Sequence, residues 1–153
     1  MKVSDMLIKL YDGDFTADCP YRIIRVMTPN KYLLIKFVKD NFSEQWASEC
    51  EACFAHLPTT CFAALNERNE IIGFAAYEAT CKAFFGPLGV LPEYRKQGVG
   101  AALLKSALQG LKELGYAYAV IGGVEEKNWE FYRKAAGAVF IEGAGKSIYK
   151  DLI

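Results

Sequence analysis

The stretch from Ala83 to Ile121 constrains the fold more than any other part of the chain. An apolar run, Ala83 to Leu91 (AFFGPLGVL), passes through Pro92 into a helical pattern that extends from Arg95 to Leu114. Leu103, Leu104, Ala107, Leu108, Leu111 and Leu114 fall on one face of that helix, and Gly115 is a natural residue to close it. Tyr116 to Ile121 (YAYAVI) follows without a charge. Such a run suits a strand covered on both faces. Strand, helix and strand in this order form a crossover, so the two strands are expected to lie parallel in one sheet. Gly86-Pro87 sits inside the first of them, where a missing N–H predicts a bulge or an interrupted ladder.

The remainder supplies hairpins and short helices. Tyr21 to Met27 alternates as a strand does, and Thr28-Pro29-Asn30 turns the chain into a helix carrying Tyr32, Leu33, Ile35, Lys36, Phe37 and Val38. Asn41 to Ser43 interrupts it. Ser43 is a good N-cap with Glu44 behind it, and Trp46, Ala47, Cys50, Cys53 and Phe54 continue a second helix to about His56, ended by Leu57-Pro58. Thr60 to Leu65 and Ile71 to Ala79 read as a hairpin joined through Asn66 to Glu70. Asn128 to Ala136 is a helix closed by Gly137, with strands expected at Ala138 to Ile141 and Ser147 to Leu152. The order β-α-α-β-β-β-α-β-α-β-β predicts an α/β fold, a twisted mixed sheet of six or seven strands with helices on both faces. One domain, 1–153, is expected, with residues 1–20 an extension packed on it.

Composition narrows the function. Of 153 residues, 52% are apolar, enough to close one core. Lys+Arg and Asp+Glu both number 18, so the basic field of a nucleic-acid or anionic-membrane binder is missing and neither partner is expected. No stretch reaches the ~18 apolar residues of a membrane span. Met1 to Phe15 lacks the apolar block of a secretory signal, and the odd set of five cysteines lacks a disulfide framework. A cytoplasmic protein is the expectation. Cys50, Cys53 and His56 could suggest zinc, but a fourth ligand and a second CxxC are missing, so no metal is expected.

The chemistry concentrates in Val90-Leu91-Pro92-Glu93-Tyr94-Arg95-Lys96-Gln97-Gly98-Val99-Gly100-Ala101. The first N–H groups of a helix have no internal acceptor and carry partial positive charge. Gly98 and Gly100 would let a phosphate approach the backbone, and Arg95 and Lys96 add charge. A solvated Gly-rich turn is the plainer alternative. A dinucleotide fingerprint would need glycine at Leu103, and Gly145-Lys146-Ser147 imitates a P-loop end without its first glycine or a helix after it. A Ser-His-Asp triad would have to use His56, with no G-x-S-x-G beside it.

Arg95, Gly98 and Gly100, after Val90-Leu91-Pro92, match the [Q/R]-x-x-G-x-[G/A] signature of the GNAT superfamily, the acetyl-CoA-dependent N-acetyltransferases, which the chain resembles from about Arg22 to Lys150. Asn128…Phe131-Tyr132…Gly137 resembles the family's N-x-x-x-Y…G segment, and FAAYEATCKAFFGPLGV resembles a bacterial branch. The resemblance implies that the backbone of Leu88, Gly89 and Val90 pairs with the pantetheine arm of acetyl-CoA, the Val90 N–H serving as oxyanion donor. It further implies that amides of Lys96, Gln97, Gly98, Val99, Gly100 and Ala101 hold the diphosphate. Asn128 would bind near the pantetheine, and Tyr132 would protonate the departing thiolate. The acceptor pocket would come mostly from about Asn30 to Pro58, and homodimers are common in the family.

The implied reaction moves an acetyl group to a primary amine of a small molecule or peptide, in a ternary complex. A carboxylate must first take the amine's proton. In many relatives that base stands on the strand before the signature, yet Ala83 to Leu91 holds no carboxylate. Glu78 is the first choice, followed by Glu125 and Glu126. Cys81 has no neighbouring base and is rejected as a nucleophile. A non-catalytic acyl-CoA-binding or sensing module on the same fold is the rival from another class, and a zinc-dependent module on Cys50, Cys53 and His56 is a second.

Overall fold

The computed structural model describes residues 2–153. Seven strands form one sheet in the order β2-β3-β4-β5-β6-β1-β7, with β1 Val3–Lys9, β2 Arg22–Arg25, β3 Cys61–Leu65, β4 Ile71–Tyr77, β5 Phe84–Val90, β6 Tyr118–Glu125 and β7 Val139–Phe140. All neighbours are antiparallel except β5 and β6, the pair joined by the crossover. Helices α1 Lys31–Asn41 and α2 Glu44–Ala52 cover one face, and α3 Val99–Glu113 and α4 Glu126–Ala136 the other.

Side-chain alternation along β4 builds both cores. Phe74 and Ala76 pack with Leu34, Val38, Ala47 and Cys50 of α1 and α2, whereas Ala75 and Tyr77 face the core that holds α3. Leu103, Leu104, Leu108 and Leu111 of α3 are fully buried, each worth roughly 1.5–3 kcal/mol. Leu114, assigned to the same apolar face, lies past the helix end and is exposed. The Ser43 hydroxyl accepts the Trp46 N–H at 3.0 Å, which sets the start of α2.

Three expectations need correction. Residues 1–20 are more than an extension, because Val3–Lys9 is a strand of the sheet, set between β6 and β7. Asp5 hides it from period counting. The register shifts between Ser4 and Met6, and this buried carboxylate breaks the alternation that Met6 and Ile8 would show. Ser147 to Leu152 is not a strand. Ile148–Asp151 forms a 3-10 turn, and just before it the Ser147 hydroxyl donates to Asp5 at 2.6 Å. The long helix starts at Val99 rather than Arg95, because Pro92–Tyr94 is a separate 3-10 turn and Lys96 (φ 62°) and Gly98 (φ 82°) are left-handed.

The expected irregularity at Gly86-Pro87 is present. Ala75 opposes Leu88 and Tyr77 opposes Phe85, so β5 carries one residue more than β4 across this interval. On its other side β5 pairs with β6 only at Phe84↔Val120 and Phe85↔Ile121. Beyond Phe85 the two parallel strands part.

Candidate active site

A cavity of about 780 Å³ occupies the opening between the parted strands. Phe85, Gly86, Pro87 and Leu88 of β5 line one wall, and Ile121 to Glu125 of β6 the other. The α4 side contributes Asn128 and Tyr132, the α2 side Gln45, Trp46, Ser48 and Glu49. Thr80, Val3, residues 146–149, Asp151 and Leu152 complete it. Since α2 and α4 lie on opposite faces, the cavity reaches both sides of the sheet through the split.

Tyr132 packs edge-on against Phe85, with ring centroids 6.1 Å apart. Burial pushes its phenol well above the ordinary tyrosine value, and it is the sole influence acting on it. A hydroxyl in that state keeps its proton and can donate it to an anion formed in the cavity. Asn128, one helical turn earlier, lines the same cavity, as the four-residue spacing predicts.

The glycine-bearing turn singled out in the sequence lies past the C-terminal end of β5. The first helical hydrogen bond of α3 runs from Ala102 N–H to the Gly98 carbonyl, and no side chain caps the start. The amides of Val99, Gly100 and Ala101 thus have no acceptor within the helix, and no acidic residue stands in the first turn. Gly98 must be left-handed, which favours glycine there. Arg95 is partly committed, its Nε donating to the Val90 carbonyl at 3.0 Å, and Gln97 accepts the Tyr21 hydroxyl at 2.9 Å. Gly89 admits no side chain, because a Cβ there would stand 2.6 Å from the Phe42 ring.

The three carboxylates singled out in the sequence separate. Glu78 does not line the cavity. Its Oε1 accepts the Ala83 N–H at 3.2 Å, so it holds the turn between β4 and β5, and its carboxylate pushes the Tyr116 phenol up. Glu126 opens α4 on an exposed turn, its N–H bonded to the Lys2 carbonyl, outside the lining. Glu125 lines the cavity at the end of β6, 3.4 Å from Lys127.

Glu49, which sequence reasoning missed, lines the cavity from α2. Its Oε2 accepts the hydroxyls of Thr80 and, at 3.3 Å, Tyr149. Burial, then the charge of Glu49, push the Tyr149 phenol up to about 12. Trp46 and Glu49 stand three apart on one helix face, the only hint the sequence offered.

The cysteine cluster has another arrangement than a zinc knuckle. Cys50 and Cys53 pack with Cys61 in the core, and His56 Nε2 bonds the Glu78 carbonyl at 3.2 Å. Among the described residues no group of three or more His, Cys, Asp and Glu side chains could hold a metal ion. Nor is any helix there long and apolar enough to cross a membrane.

A parallel strand pair that parts beside an uncapped helix start defines a class of α/β protein with a ligand slot cut into the sheet itself. Residues 31–138 match the family model described as Acetyltransferase (GNAT) family, and the chain belongs to that family. Solved structures agree on the fold. A GCN5-related N-acetyltransferase from Sphaerobacter thermophilus superposes with TM-score 0.75 at 19% identity, over 92% of this chain and 48% of that one. A GCN5-related glucosamine N-acetyltransferase region of a fungal multi-domain GH3 β-N-acetylglucosaminidase gives 0.73 at 17%, over 92% of this chain and 20% of that one. A GNAT family acetyltransferase from Brucella melitensis in complex with acetyl-CoA gives 0.56 at 18%, over 74% and 82%. The chain spans about half the length, or less, of the first two. No curated protein matches the sequence.

Proposed function

We propose that this protein transfers an acetyl group from acetyl-CoA to a primary amine. The observation that carries the reading is the split between β5 and β6, with Tyr132 facing the space it opens. The residues fit the donor. The unpaired edge of β5 from Gly86 to Val90, with Leu88 and Gly89 within it, offers backbone groups to an extended pantetheine arm, as an added strand would. The free amides of Val99, Gly100 and Ala101, with Lys96 and Gln97 before Gly98, suit a diphosphate. Asn128 adds a side-chain amide at the cavity wall.

Acetyl-CoA supplies a thioester whose carbonyl carbon the amine attacks; the new C–N bond forms as the C–S bond breaks. Ahead of attack the ammonium must lose a proton, and Glu49 is the base in this reading, replacing Glu78, because its carboxylate faces the cavity opposite α4. Tyr132 gives its proton to the departing thiolate and is restored by the second proton, which the attacking nitrogen sheds as it becomes an amide; the Val90 N–H is the oxyanion donor.

Loss of thioester absorbance across an amine panel tests this. Turnover with at least one amine is expected, and Glu49→Gln should lower kcat by roughly 10²–10⁴-fold. Coenzyme A binding with no turnover of any amine would instead indicate an acyl-CoA-binding module.

A further inference from the structure

We propose that the acceptor is a small free alkylammonium rather than a peptide or protein, and that the segment Ser147–Leu152 imposes this choice. The inference rests on the acetyl-transfer reading and names its substrate class.

The segment roofs the α2 side of the cavity and is fixed at both walls. At the β6 wall, Asp5 accepts the Gly123 N–H at 2.7 Å and the Ser147 hydroxyl at 2.6 Å. The Tyr149 ring then lies on the bare backbone of β6, where a Cβ on Gly122 or Gly123 would come within 3.2 or 3.1 Å of it. At the α2 wall, the Tyr149 hydroxyl meets Glu49. An extended peptide needs a groove open at both ends, or a free strand edge, on the side from which it approaches. Here that side is bridged from sheet to helix.

The chamber beneath suits a compact cation. Glu49, Trp46 and Tyr149 all line it, with the Tyr149 hydroxyl on the Glu49 carboxylate, and a carboxylate in an aromatic setting binds ammonium by charge-assisted hydrogen bonding and cation–π attraction. Across the same cavity stands the half-buried Tyr132, packed edge-on against Phe85. Space sets the size. The cavity of about 780 Å³ lies within the ~300–1,000 Å³ of small-molecule sites and must also take the thioester end of the donor. Tyr149 is then a specificity-determining residue that also positions Glu49.

The test measures kcat/KM for butylamine, phenethylamine and an unblocked tetrapeptide, with the full chain, a chain ended after Lys146 and Tyr149→Ala. A melting shift on adding coenzyme A checks that each keeps its fold. The full chain should prefer the small amines by about 100-fold, and both variants should narrow that preference by about tenfold or more. If the shortened chain fails to fold, Tyr149→Ala decides. Equal use of the tetrapeptide by the full chain, or an unmoved ratio in Tyr149→Ala, overturns the inference and leaves acetyl transfer standing. Coenzyme A binding without turnover of any amine overturns acetyl transfer, and this inference with it.

Discussion

Asp5 gives the most demanding test of how the site is held. Its carboxylate is 8% exposed and receives two donors, the Gly123 N–H at 2.7 Å and the Ser147 hydroxyl at 2.6 Å. Charge-assisted hydrogen bonds contribute ~1.5–3 kcal/mol each. Asp5→Ala loses both and strands the Gly123 N–H, although water in the adjoining cavity can reach that amide. The lower end of the range therefore applies, a destabilisation of ~3 kcal/mol. For a chain of this length, that lowers Tm by roughly 6–12 °C. Asp5→Asn keeps an oxygen acceptor and should lose about half as much. The assay is thermal unfolding of both variants and of Ser147→Ala, with the double variant closing a cycle. Coupling between Asp5 and Ser147 above ~0.5 kcal/mol is expected, since the two share a hydrogen bond. In the same variants KM for the amine should rise while coenzyme A affinity stays put, because Asp5 braces the roof and not the α3 turn. A loss under ~1 kcal/mol in Asp5→Ala, or additive behaviour with Ser147→Ala, would refute the bracing role.

Further outcomes are open to measurement. Tyr132→Phe should cut kcat roughly 10²–10⁴-fold while leaving Tm unchanged or slightly raised, because no hydrogen bond is lost. Gly98→Ala places a residue with a Cβ at φ 82°, costing ~1–2 kcal/mol although that Cβ would meet Asp18 and Cys19 only at ordinary contact distance; melting and coenzyme A titration should both register the change. Alkaline stability should depend on Tyr149. Its folded value of about 12 exceeds the ordinary 10.0, so the folded state holds the proton more tightly and stability falls as pH climbs from 10 to 12. Tyr149→Phe should flatten that decline in a pH series of unfolding curves.

The crossover and the signature turn were legible because local chemistry dictates them. The leucine face of α3 has one period, and Gly98 is the residue a left-handed position demands. Strand β1 was hidden because its inward polar residue, Asp5, is satisfied by Gly123 and Ser147, more than a hundred positions away. No window of sequence contains that compensation. Glu78 drew attention by its place near a strand end, yet its φ of 55° turns it into the β4–β5 loop, toward Ala83 and Tyr116. Glu49 looked like one more surface carboxylate of an amphipathic helix. Only the meeting of α2, Thr80 and Tyr149 in space gives it a role.

Strand β1 begins at Val3, paired with Glu125 at the cavity rim, and Leu152 lines the same cavity from the opposite end of the chain. Anything joined to either end, an affinity tag or a neighbouring module, is therefore delivered to the doorstep of the chamber. A fused segment would be held at high local concentration beside the chamber, and tag-free material is the proper reference for any kinetic comparison.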